Sequence, residues 1–298
     1  MSDEVKGMLL GLIGVAIFSL TLPATRVAVS VLDPVTVGLG RAVVAAVVAV
    51  AILIGTRQPL PPRRTWGRLL AVAVCITLGF PLFMTIAMQS VPAVHGGVML
   101  GVLPLATTVG AAVFCGERPS LSFWLLAMLG SALVLAFAFM EGAGALQAAD
   151  LWLLIAVFCA GAGYALSGDL SRSMGGWQVI CWVMVVSLPL VVPPVLWVMA
   201  DIDWQATTWQ VWSGFFYVAL FSQLIGFFAW NKGLALAGIA RVGQVQLLQL
   251  FMTLAASWLL LGEEIMPSTI VFSMLVVAVV AWGRRMPVSR PELAKYPD

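Results

Sequence analysis

"GVLPLATTVGAAVFCGERP" (Gly101–Pro119) is an apolar stretch that stops on Gly116-Glu117. A second apolar stretch, "LLQLFMTLAASWLLLGEEI" (Leu247–Ile265), stops in the same way on Gly262-Glu263, 146 residues further along and about half a chain away. Shifting the chain by that amount lays 87–121 over 233–267 without a gap. Identities are few: Gly97 with Gly243, Thr107 with Thr253, Gly116 with Gly262 and Glu117 with Glu263. The hydropathy pattern carries more, because each half holds five apolar segments and closes the fourth on Gly-Glu.

Composition says which solvent these segments meet. Of 298 residues, 62% are hydrophobic and 9% charged, against about 25% charged in soluble domains. There is too little polar material to coat a soluble surface, so the bilayer is the solvent. Spanning helices need about 20 mostly apolar residues, and ten such segments are expected: 8–31, 34–55, 68–89, 93–115, 121–140, 151–171, 177–199, 208–230, 240–261 and 268–284. No segment shows the ten-residue alternation of a barrel strand. The first apolar run, preceded by Asp3 and Glu4, reads as a retained membrane helix rather than a signal peptide.

Lysine and arginine mark the inner side. With a cytoplasmic N-terminus, every one of them falls inside except Arg26 and Arg41, which lie within helices one and two. The outer loops hold only acids: Asp33, Glu141, Asp150, Asp201, Asp203, Glu263 and Glu264. Both termini are therefore expected in the cytoplasm. Five helices per half is an odd number, so the second half enters from the opposite side. The predicted fold class is an all-α integral membrane protein of ten transmembrane helices in two inverted-topology repeats. Residues 7–141 form the first repeat, 148–286 the second, and 287–298 a cytoplasmic tail. Inverted repeats are a frequent build of secondary transporters, with the substrate near the midplane between them.

Each Gly-Glu is read as structural, a glycine helix stop followed by a carboxylate held at the interface. Eight tryptophans near expected helix ends (Trp66, Trp152, Trp177, Trp204, Trp209, Trp230, Trp258, Trp282) read as an interfacial belt. The four cysteines stand singly in apolar runs, with no metal or redox spacing. No P-loop, nucleophile elbow, His-rich motif or paired carboxylates appear. Neither an enzyme, a cofactor, a metal site nor a nucleic-acid partner is expected. The expected partners are a small-molecule substrate and the lipid bilayer, with a monomer plausible.

"FSLTLPATR" (Phe18–Arg26) and "LGR" ending at Arg41, with the two Gly-Glu helix ends and Pro104 before the first of them, resemble the drug/metabolite transporter superfamily, in particular its EamA-type ten-helix members. The second half has Leu250 where that family often repeats the proline. Within the superfamily the chain is similar to the YddG-type exporters of aromatic and other amino acids. The resemblance implies outward transport across a bacterial inner membrane, with amino acids as cargo; drugs or other metabolites, or a channel-like or structural role, are the alternatives.

Polar groups in mid-membrane either pack inward or line a cavity. Gln246, Gln249 and Thr253 share one face of helix nine, with Gln244 pointing elsewhere. Gln249 stands about 14 Å from the start of that helix. Substrate contact and interhelical hydrogen bonding are equal readings of that face. Helix three offers Phe80, Pro81 and Met84, with a proline kink as the alternative. Ser19 and Thr21 of helix one, Leu103 of helix four, Tyr164 of helix six (taken as the tyrosine deep in a span) and Gln223 of helix eight complete the candidate substrate site. "AGAGYA" around Tyr164 permits close packing. Arg26, Arg41 and His95 are candidates for an outer vestibule; the simpler readings are snorkelling or pairing with Asp33 for the arginines, and an interfacial histidine. No Asp or Glu falls in the middle of any span, so an obligatory coupling ion is not expected.

Overall fold

The computed structural model describes residues 2–91, 96, 99–140, 148–199, 206–261, 267–283 and 285–289. His95, Gly262, Glu263 and the outer-loop residues Glu141, Asp201 and Asp203 lie outside them.

The described chain is helical throughout, apart from one two-stranded ribbon. In chain order the helices are α1 (Asp3–Ala28), α2 (Pro34–Gly55), α3 (Arg63–Ser90), α4 (Leu103–Cys115), α5 (Leu121–Met140), α6 (Ala149–Met174), α7 (Gly176–Met199), α8 (Trp209–Ala237), α9 (Ile239–Gly243 through Gln244–Leu248 to Gln249–Leu261) and α10 (Pro267–Gly283). Seven of these are long and apolar enough to cross a membrane, and α4, α5 and α10 contain shorter apolar helices. Their exposed side chains are aliphatic and aromatic (Val47, Val113, Phe139, Phe158, Trp197, Met274), as expected of surfaces that face lipid. This is a membrane protein.

The first helix of each half packs on the third helix of the other. In the α1–α8 contact, a Cβ on Gly7 would lie 2.7 Å from the Ala237 nitrogen, and one on Gly233 2.7 Å from the Gly7 oxygen. In the α3–α6 contact, a Cβ on Gly163 would lie 2.5 Å from a side-chain carbon of Ile76. Gly161 presses α6 onto the backbone of α4, its Cβ position 2.6 Å from the Ala106 carbonyl carbon. With no hydrophobic drive between helices in lipid, such close approach supplies the dispersion energy of association.

The two halves also share an irregularity. A π-helical stretch occupies Ala73–Gly79 in α3 and Tyr217–Ile225 in α8; the 146-residue shift superposes Ala73–Gly79 on Ala219–Ile225. Pro81, two residues beyond the first stretch, has Phe227 as its counterpart, so proline alone does not account for the pair. Each π stretch rotates the residues beyond it relative to an unbroken helix. That rotation sets which side chains of α3 and α8 face inward.

At the end taken as cytoplasmic, Arg68 holds Asp169 at 2.6 Å, Arg172 approaches the other oxygen of Asp169 at 3.6 Å, and Arg241 meets Glu4 at 3.6 Å. Arg68, Arg172 and Arg241, assigned from sequence to the same side, are thus each paired with an acid. There too, β1 (Arg118–Pro119) pairs antiparallel with β2 (Val288–Ser289). The segment read from sequence as a tail is thus tied near its start to the loop after α4.

Two sequence expectations need correction. Trp230 is not part of an interfacial belt: α8 runs on to Ala237, two turns past its expected end, and Trp230 is wholly buried against Gly14 of α1. Trp66, Trp152, Trp209 and Trp282 are exposed as a belt requires. Tyr164 is not the sole tyrosine that reaches inward either, because Tyr217 donates its hydroxyl to the Ile17 carbonyl at 2.8 Å.

Candidate functional site

The site begins with a break in α1. Pro23 has no N–H, so the Ser19 carbonyl loses its helical donor, and the helix divides at Leu20 between Asp3–Ser19 and Thr21–Ala28. Side chains of the second half occupy the opened carbonyls. Thr253 donates to Ser19 O at 2.6 Å, Gln249 Nε2 to Phe18 O at 3.4 Å, and Tyr217 to Ile17 O as above. Across the same break the Thr21 and Ser222 hydroxyls share a hydrogen bond of 2.8 Å. The Ser19 hydroxyl itself turns back to Ala16 O at 2.7 Å.

Beside the break lies a cavity walled by both halves. Phe18, Thr21 and Leu22 of α1 contribute, with Phe80 and Met84 of α3 and Leu100 and Leu103 at the start of α4. Tyr164 of α6, Ser222 and Phe227 of α8 and Gln249 of α9 close it, and Arg41 of α2 enters it. The rings interlock: Phe18 lies 5.2 Å from Phe227 and 6.0 Å from Trp230, and Tyr164 lies 5.4 Å from Trp230, centroid to centroid. The non-atom space between these side chains is about 340 Å³, part of it continuous with the outside, and it is subdivided so finely that it holds only about one water molecule. The cavity is narrow in this conformation. A second small cavity adjoins it, sharing Leu22, Leu100 and Gln249 and adding Gln246 and Thr253.

Of the residues singled out from sequence, Thr21, Phe80, Met84, Leu103, Tyr164 and Gln249 meet in the main cavity. Gln246 lies in the adjoining one, where Thr107 donates to its side-chain oxygen at 3.3 Å. Ser19, Pro81 and Gln223 line neither. Ser19 contributes its carbonyl, as described. The Pro81 carbonyl faces Gly38 of α2 and accepts from Thr85 at 2.9 Å. Gln223 is fully buried, its amide 3.9 Å from the Met184 sulfur.

The arginines separate. Arg26 donates to the carbonyls of Met88 and Val91 at the end of α3. Asp33 pairs with neither arginine, since its carboxylate caps α2 through the Val35 N–H at 2.7 Å. Arg41 does not snorkel: it is 2% exposed and lines the cavity, and Gly38, one turn before it on α2, lies against Pro81, Leu82 and Thr85 of α3 rather than lipid. Phe18, Leu22, Leu100, Ser222 and Phe227 escaped the sequence reading. The last two follow the start of a π stretch, where counting by 3.6 residues loses the face.

In the first Gly-Glu the glycine does what was expected of it and the acid does not. Gly116 stops α4 with φ of 67°, a conformation glycine adopts without strain. Glu117 is not held at a lipid interface: it is 4% exposed, and its two oxygens accept from the backbone N–H groups of Ile239 at 3.0 Å and Ala240 at 2.9 Å. It caps α9, satisfying otherwise orphaned amides at a helix N-terminus.

A bundle of apolar helices closing around a partly polar cavity built from two like halves defines a membrane transporter fold. The EamA-like transporter family model matches the chain twice, at residues 5–139 and 147–282, and the chain belongs to that family. A Bacillus subtilis (strain 168) protein called "Uncharacterized transporter YdeK" is 42% identical over 285 residues, spanning 96% of this chain and 99% of its own. A solved crystal structure aligns over 94% of this chain and 98% of its own with a TM-score of 0.70. Its sequence identity of 15% makes that a likeness of fold alone.

Proposed function

We propose that this chain is a secondary transporter that exports small metabolites, above all neutral and aromatic amino acids, across a bacterial inner membrane by alternating access. Residues 7–141 and 148–286 act as inverted five-helix repeats with both termini in the cytoplasm, and the cavity between them carries the cargo near the membrane midplane. The observation that carries this reading is the cavity itself: walled by both halves and ringed by aromatics. A site walled by two like halves suits alternating access, because rocking one half against the other exposes it to each face in turn. The paired π stretches in α3 and α8 and the broken α1 supply irregular backbone where it borders a cavity, as discontinuous helices do in transporters. The test is counterflow in proteoliposomes loaded with a panel of unlabelled amino acids. Transient accumulation of labelled phenylalanine, leucine or another neutral amino acid supports the reading. Accumulation of none, with protein shown to be folded and inserted, overturns the assignment of cargo.

A further inference from the structure

The guanidinium of Arg41 is the most costly group in the cavity. The side chain is 2% exposed, and its Nε and Nη1 are buried without a hydrogen-bond partner. A buried charge is ordinarily paired, because removal from water is not otherwise repaid. Here the nearest acid in sequence, Asp33, lies two turns away and is committed to capping α2. Every other described residue lining the cavity is neutral. Among the described residues, the charge therefore lacks a counterpart.

From this geometry we infer that Arg41 is the anchor for a carboxylate on the transported molecule, and that the cargo is read first as a hydrophobic monocarboxylate. The inference rests on the cavity being the transport site. A guanidinium presents a planar fork of donors that matches the two oxygens of a carboxylate. Phe18, Tyr164 and Phe227 form an apolar wall beside it, suited to an aromatic or branched side chain. The Thr21 and Ser222 hydroxyls and the Gln249 amide are the cavity's remaining polar groups outside Tyr164 and Arg41. They accept hydrogen bonds from an α-amino group without forming an ion pair to it. Carboxylate recognition is thus obligatory and amine recognition is not. Binding of the anion neutralises Arg41, so the loaded protein is the relaxed one.

The experiment compares three probes of one ring size on the purified full-length protein: L-phenylalanine, 3-phenylpropionate and phenethylamine. Thermal unfolding in detergent and competition in counterflow are the readouts. The two carboxylates are expected to raise the unfolding temperature and to compete, and phenethylamine to do neither at the same concentration. Arg41→Met should raise the unfolding temperature of the empty protein while weakening both carboxylates at least tenfold; Arg41→Lys should retain part of their binding. Stabilisation by phenethylamine, failure of all three probes to bind wild type, or undiminished carboxylate binding in Arg41→Met each overturns the anchor. Should Arg41→Met fail to fold, the three-probe comparison on wild type and on Arg41→Lys still decides. Carboxylates that bind through Arg41 yet are never carried overturn the transport reading and leave the anchor standing.

Discussion

The carboxylate of Glu117 accepts hydrogen bonds from the backbone amides of Ile239 and Ala240, at 3.0 and 2.9 Å. One half of the protein thereby caps the helix that carries Gln246, Gln249 and Thr253 in the other. A glycine turn at Gly116 delivers the acid to that position, and the β1–β2 ribbon holds the chain beyond it.

Removing this cap should be costly. Glu117→Ala leaves two buried amides unsatisfied and is expected to destabilise by about 2 kcal/mol or more. Glu117→Gln keeps an acceptor but loses the charge that favours a helix N-terminus, and should cost about 1 kcal/mol. Thermal unfolding in detergent reads both. An unfolding temperature for Glu117→Ala equal to wild type would contradict the cap.

Thr253 seals the Ser19 carbonyl at the break in α1. Thr253→Val keeps the volume and removes the donor, with an expected loss of about 1 kcal/mol, near the upper range for hydrogen bonds between membrane helices. Thr253→Ser restores the donor and should recover most of that. Transport should fall more than stability in the valine variant, because the break borders the cavity. Equal stability and transport in the two variants would show that the contact is idle.

Topology is tested directly. Reporters fused at Pro61 and Ser173 are expected to read cytoplasmic, and at Gly142 and Asp201 periplasmic, because lysine and arginine segregate to one side. A confident reversal at any of the four sinks the inverted ten-helix arrangement.

Among the described residues, no Asp or Glu lines the cavity. Proton coupling needs a group that changes protonation as the site switches sides. Labelled L-phenylalanine in proteoliposomes is therefore expected to reach its external concentration and go no higher, with or without an imposed pH gradient. Accumulation above that level, abolished by a protonophore, would demonstrate the coupling denied here.

The sequence by itself determined the solvent, the approximate spans, the duplicated half and the helix stop at Gly116, because these follow from local composition and from one residue's backbone freedom. It also placed Gln246, Gln249 and Thr253 on one face, and found the small residues of α6 that let α4 and α3 approach. What it missed depends on partners distant along the chain. Glu117 reads as an interfacial acid until the fold brings the start of α9 to it, 122 residues on. Trp230 reads as a belt residue until α8 is seen to run past it and Gly14 to make room. Arg41 reads as a snorkelling arginine, because a one-dimensional count gives its depth but not its direction. Tertiary packing decided that direction: Arg41 is buried where α1, α3, α6, α8 and α9 meet, and two π stretches rotate α3 and α8 so that rings and hydroxyls surround it. Hydropathy reports how much of a helix dislikes water; only packing against other helices says which of its faces is left for a ligand.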